Sequence, residues 1–184
     1  MALPEIKYFT EASVAATGIL EKISRNPLID AEDMSGTILE KARGELGFEN
    51  IKFTYPSQPD TVVLSDFNLV VPAGQTVALV GSSGCGKSTA ISLVQRFYDA
   101  DQGVVKIDGV DVKKLQLKWI RRKMGLVSQD HALFGTTARE NIMFGKPDAT
   151  MEEVIAAAMA ANAHNFIRQL RDGYETKVKS SKYP

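Results

Sequence analysis

VALVGSSGCGKSTAIS, residues 77–92, sets an apolar run against a glycine-rich turn and then a run of helix formers. Gly81 to Ser88 follow the spacing G-x-x-x-x-G-K-[ST]. QTVALVG (75–81) leads in as an unbroken apolar run of the kind shown by a strand buried on both faces, and STAISLVQRFY (88–98) leads out as a helix. Gly81, Gly84 and Gly86 allow backbone angles and close approach that a Cβ forbids. The backbone N–H groups of such a loop turn inward as an anion nest, at a helix N-terminus carrying about half a positive charge. Lys87 then reaches the β and γ phosphates of a nucleotide, and Ser88 places its hydroxyl on Mg²⁺. The candidate nucleotide-binding set is Gly81, Ser82, Ser83, Gly84, Cys85, Gly86, Lys87, Ser88 and Thr89. Cys85 carries two readings: a small residue that fits the loop, or a thiol whose pKa is lowered by the helix N-terminus and Lys87.

Outward from the loop, the chain changes character several times. Ile6, Phe9, Ala12, Ala16, Ile19 or Leu20, and Ile23 recur at steps of three and four, which predicts a helix over residues 5–25. RNPLIDAEDMSG (25–36) stops it at Pro27 and continues as a polar, acidic connector, so residues 1–44 read as helix and linker outside a main domain at 45–178. ELGFENIKFTY (45–55) alternates partly, and TVVLSDFNLVV (61–71) reads as a strand pair ended by the Pro-Ala-Gly turn at 72–74. VVKIDGVDV (104–112) places Asp108-Gly109 between two β runs as a hairpin. WIRRKMGLVSQ (119–129) reads as a basic helical piece followed by a strand, MGLVS (124–128). Residues 151–170 are rich in helix formers, and Thr150 with Glu153 makes a capping box.

Composition limits the partners. Twenty-two basic residues balance twenty-two acidic ones across 184 residues, so no net field argues for nucleic acid or a membrane surface. The single cysteine excludes an internal disulfide and fits a reducing compartment. No apolar run approaches the roughly 18 residues a membrane span needs, and MALPEIKYFTEA is not a signal peptide. Made alone, the chain is expected to be cytosolic.

A phosphate loop does not choose among NTPase classes. Residues 53–129, from FTYPSQPDTVVLSDF through the loop to KMGLVSQ, resemble the first half of an ABC transporter nucleotide-binding domain. More narrowly they look like the B subfamily, the multidrug-resistance or P-glycoprotein-like exporters, above all their plant members. The likeness runs from about residue 4 to residue 178. It implies an α/β fold: a P-loop NTPase (ABC-type ATPase) core, incomplete here, with an antiparallel β subdomain and the start of the helical subdomain. By position, Tyr55 corresponds to the aromatic residue that stacks on adenine, a contact of about 1–3 kcal/mol by analogy with base–aromatic pairs; a half-buried strand tyrosine is the alternative. Gln129 corresponds to the glutamine that touches Mg²⁺ and the attacking water and senses the transmembrane domain. FGTTARENIMFG (134–145) matches the segment leading to the helical subdomain, near the transmembrane coupling helices. LPEIKYFTEASVAATGILEKI (3–23) looks like the cytosolic run of the last membrane helix.

The resemblance implies ATP and Mg²⁺ as cofactors. It also implies a transmembrane domain and a second nucleotide-binding domain as partners, and a place on the cytosolic face of a membrane, the plasma membrane. There are departures: His131 and Arg171 stand where many relatives have Pro, and His164 reads as a surface or packing residue. The family's signature LSGGQ and its apolar strand ending in Asp-Glu do not occur in these residues, and KSSKYP (179–184) resembles nothing in the family. The chain is therefore expected to be truncated, to hold ATP without hydrolysing it by the family's mechanism, and to leave its sheet with open edges. An ATP-binding isoform that pairs with or interferes with a full-length transporter is the alternative. A GTPase switch is disfavoured, because no N-K-x-D motif occurs.

Overall fold

In the computed structural model, residues 3–128 and 132–178 are described, and they fall into two units that divide between Gly125 and Leu126. The first unit opens with a helix, α1 (Leu3–Ile23), two residues earlier at each end than the periodicity predicts. Phe9, Ile19, Leu20 and Ile23 on it are exposed. A four-stranded antiparallel sheet follows, built from β1 (Leu46–Thr54), β2 (Val62–Val71), β3 (Gln102–Ile107) and β4 (Val110–Asp111) in the order β2-β1-β3-β4.

The partial alternation of β1 has a physical cause. Phe48, Ile51 and Phe53 are all buried, although Phe48 and Ile51 differ in parity. A bulge at Asn50, with φ 49°, absorbs the extra residue and returns Ile51 to the core face. Asn50 N–H donates to Asn68 Oδ1 at 2.8 Å. Gly103, at φ 83°, packs onto the bulge so closely that a Cβ there would run into the Glu49 and Asn50 carbonyls. Residues 62–71 form one strand rather than the predicted pair. Asp66, at φ 53°, bulges without reversing the chain, and its carbonyl is held by the Asn68 side chain at 3.0 Å.

The Asp108-Gly109 hairpin joins β3 to β4 with φ 50° and 81°, the positive pair a type I′ turn requires. The Asp108 carboxylate does more than turn the chain. It accepts the N–H of Arg43 at 2.7 Å, of Glu45 at 3.0 Å and of Gly44 at 3.4 Å. Burial of the carboxyl pushes its pKa upward, but the N–H donors of Glu45, Arg43 and Gly44, with the Arg43 guanidinium, outweigh that and hold it below the ordinary 3.8. Upstream, Thr37 donates to Lys114 O at 2.8 Å and accepts from Gln116 N–H at 3.0 Å, while Gln116 Nε2 donates to Met34 O at 2.7 Å. Residues 34–45 are thus stitched to the sheet and to the start of a short helix, α3 (Leu117–Arg122).

Two predicted strands are not strands. QTVALVG (75–81) and MGLVS (124–128) form no strand among the described residues. A strand exists through its neighbours' hydrogen bonds, and an apolar run alone supplies none. Val80 is 92% exposed and Val127 90%. Beneath Val77 and Leu79 lies an apolar cavity of about 430 Å³, walled by Phe48, Leu69, Ile91 and Val94 among others.

The second unit holds α4 (Ala138–Met143), α5 (Met151–Ala160), α6 (His164–Gln169) and a 3₁₀ turn (Gly173–Glu175). The helix predicted over 151–170 is broken at Asn162, φ 56°, into α5 and α6. The capping box is present: Glu153 N–H donates to Thr150 Oγ1 at 3.3 Å and Thr150 N–H to Glu153 Oε2 at 3.0 Å. A second box, Thr137 with Glu140, caps α4. Ala138, Val154, Ala158, Ile167 and Tyr174 form this unit's core, with the Tyr174 hydroxyl 2.8 Å from His164 Nδ1.

Candidate phosphate-binding site

The loop at 81–86 delivers the chain into α2 (Lys87–Val94), the helix predicted after it. Gly86 caps α2 at φ 87°, and a Cβ there would lie 2.6 Å from Leu64 Cδ2 and 3.3 Å from Val63 O. Only glycine lets the loop lie this close to β2. Gly84 also takes a left-handed φ, 82°.

α2 begins without a side-chain cap, and its first turn carries no acid. Its leading N–H groups therefore lack the usual side-chain partner, while the helix dipole leaves positive potential there. Lys87 lies back over the loop. Its Nζ donates to Gly81 O at 2.9 Å and Ser82 O at 2.6 Å, and stands 3.4 Å from Cys85 Sγ. Two neutral carbonyls hold this ammonium, and phosphate oxygens are stronger acceptors for it. The cradle therefore fits a polyphosphate. Ser82, Ser83, Cys85 and Ser88 are exposed, so the loop's polar groups face solvent.

Thr89, only 3% exposed, points the other way. Its Oγ1 lies 2.9 Å from the Tyr55 hydroxyl. Tyr55 sits half-buried just after β1, edge-on to Phe53 at 5.0 Å and Tyr98 at 5.3 Å between ring centroids. The fold thus brings Tyr55, read from sequence as the base-stacking residue, to the first turn of the phosphate helix. Gln129 and His131 lie outside the described residues, as do residues 179–184.

Sequence reasoning did not single out two residues here. Leu64 lies where a Cβ on Gly86 would fall, and Arg121 of α3 meets the far end of α2, donating to Gln95 O and Arg96 O. The basic run Arg121-Arg122-Lys123 was visible as charge, but nothing in it names the carbonyls it meets.

With the loop, its helix and the antiparallel sheet in place, the comparison with known families follows. The family described as ABC transporter matches residues 64–182. The chain belongs to the ABC transporter family. It carries that family's P-loop NTPase domain, and the described residues form its antiparallel sheet and mixed helices without a parallel core sheet. Among similar proteins, ABC transporter B family member 15 of Arabidopsis thaliana is 58% identical over 96% of this chain, and member 18 is 55% identical over 96%. The putative member 8 is 56% identical, again over 96%. The chain spans about 14% of the length of each of these relatives. Among the described residues no helix is long and apolar enough to cross a membrane.

Proposed function

We propose that this chain is the ATP-holding part of an ATP-driven ABC exporter, coupling ATP binding to transport when joined to its transmembrane domain and a second nucleotide-binding domain. The supporting observation is the Lys87 ammonium resting on loop carbonyls at the uncapped start of α2. In this reading the loop N–H groups and Lys87 hold the phosphates, Ser88 and Gln129 hold Mg²⁺, and Tyr55 meets the adenine. Bound Mg²⁺ supplies charge neutralisation for the triphosphate. A transporter with this part would place it on the cytosolic face of a membrane, in this reading the plasma membrane.

Within these residues no acidic strand end or signature sequence is present to complete the family's hydrolytic machinery. The chain on its own is therefore proposed to bind ATP without turning it over. The test is equilibrium titration with a fluorescent ATP analogue and Mg²⁺, against Lys87→Ala, alongside a phosphate-release assay. Saturable binding lost in Lys87→Ala, with no phosphate released, is the expected result; equal binding by both proteins refutes the reading.

A second reading rests on the exposed apolar side chains of the 75–81 segment, Val77 and Val80. An apolar face of this kind suits a chain that pairs with a full-length transporter and interferes with it. Co-expression that leaves transport unchanged would count against this.

A further inference from the structure

α2 is short, and its own last turn carries no basic residue. Just beyond it, Arg96 turns its guanidinium to Asp99 at 3.1 Å, and Arg121 brings a second cation from another helix. Its Nη2 donates to Arg96 O at 3.0 Å, its Nε to Gln95 O at 3.3 Å, and its guanidinium carbon lies 5.1 Å from the centre of the Phe97 ring. These are the three residues that immediately follow α2. The chain leaves the helix there in a Schellman turn: Arg96 N–H donates to Leu93 O at 3.1 Å and Phe97 N–H to Ser92 O at 2.9 Å.

The left-handed position of that turn belongs by preference to glycine, but here Arg96 occupies it at φ 52°. A non-glycine residue in that conformation costs about 1–2 kcal/mol. Arg121 takes both outward carbonyls of this turn and lays a cation at the negative end of the helix dipole.

We propose that Arg121 is a positioning residue for the phosphate cradle: by fixing the C-terminal end of α2, it sets where the N-terminal end points. An eight-residue helix is about 12 Å long and moves as a rod, so a shift at one end is felt at the other. At the leading end, α2 is tied by the Tyr55–Thr89 contact and by Gly86 on Leu64. Arg121 closes the opposite end without touching the nucleotide site. This inference rests on the nucleotide reading for its effect on binding, and on the helix geometry alone for its effect on α2.

The test uses Arg121→Met and Arg121→Lys in the 184-residue chain. Binding of the fluorescent ATP analogue and of inorganic tripolyphosphate is measured with the folded fraction taken from circular dichroism. Arg121→Met is expected to weaken both probes by about three- to tenfold beyond any loss of folded protein. Lysine keeps the charge without the fork, so Arg121→Lys recovers part of the loss. Amide exchange supplies the second arm, which needs no ligand. The amide of Ala90, which donates to Gly86 O at the leading end of α2, speeds up together with those of Arg96 and Phe97 in Arg121→Met. If only the trailing turn responds, or if binding per folded molecule is unchanged, Arg121 is a local cap and the inference fails. If the unaltered chain and Lys87→Ala bind the probes alike, the nucleotide reading falls instead, and the amide pattern still decides the case for Arg121.

Discussion

Replacing Asp108 by asparagine tests the hairpin as a clamp on residues 43–45. Asparagine keeps the size of the side chain and tolerates the left-handed φ of 50°, so the substitution isolates the charge and one acceptor oxygen. The carboxylate is 5% exposed and holds two well-formed N–H donors, at 2.7 and 3.0 Å, plus a longer one at 3.4 Å. A hydrogen bond to a charged group contributes about 1.5–3 kcal/mol, and asparagine retains a neutral version of one. The expected loss is about 1–2 kcal/mol, and alanine at the same place costs about 1 kcal/mol more because it resists the backbone angle.

The pH dependence carries a sign. The folded-state pKa of Asp108 is depressed below 3.8, so its stabilisation is fully present above the unfolded value and is lost as pH falls through the folded one. Urea unfolding of the wild type and Asp108→Asn should therefore differ near pH 7, and the difference should shrink only as pH falls below 3.8. Amide exchange at Arg43 and Glu45 should quicken in the variant. Equal urea midpoints near neutrality, or a difference that persists undiminished in acid, would refute the clamp.

Three further outcomes are expected. Gly86→Ala forces a Cβ to within 2.6 Å of Leu64 Cδ2 at φ 87°, so it should destabilise the loop by about 1–3 kcal/mol and abolish binding of the ATP analogue; a variant that titrates like the wild type contradicts the packing argument. Cys85 is exposed beside Lys87, so alkylation by N-ethylmaleimide should block ATP binding and ATP should slow the alkylation; an alkylated protein that binds normally ends that idea. Thr150→Ala removes half of the capping box and should cost α5 about 1 kcal/mol, read as faster exchange in its first bonded amides and none elsewhere. Unaltered exchange along α5 would show that the box contributes nothing.

Features written in short spans were legible in the sequence. The phosphate loop, the Asp108-Gly109 turn and the Thr150 box each rest on a few adjacent residues whose conformational demands are local, and all three are where the sequence places them. Features that depend on a neighbour were not. VALV reads as a strand by its composition, yet nothing among the described residues pairs with it. The bulges at Asn50 and Asp66 hide the period of two, because one inserted residue inverts the pattern that follows it. Asn162 stops a helix inside an alanine-rich run that propensity alone would continue. Of the candidate site, Tyr55 and Thr89 were each named from sequence, but their contact crosses the space between β1 and α2.

The order of the strands also sets an order in time. β1 and β2 are joined by residues 55–61 and can close as a local hairpin, whereas β3 reaches β1 only after the excursion from 72 to 101, which contains the whole phosphate loop and α2. Loop-closure entropy delays the second event relative to the first. The nucleotide cradle is thus strung inside the longer, later-closing segment, which ends where Gly103 seats on the β1 bulge.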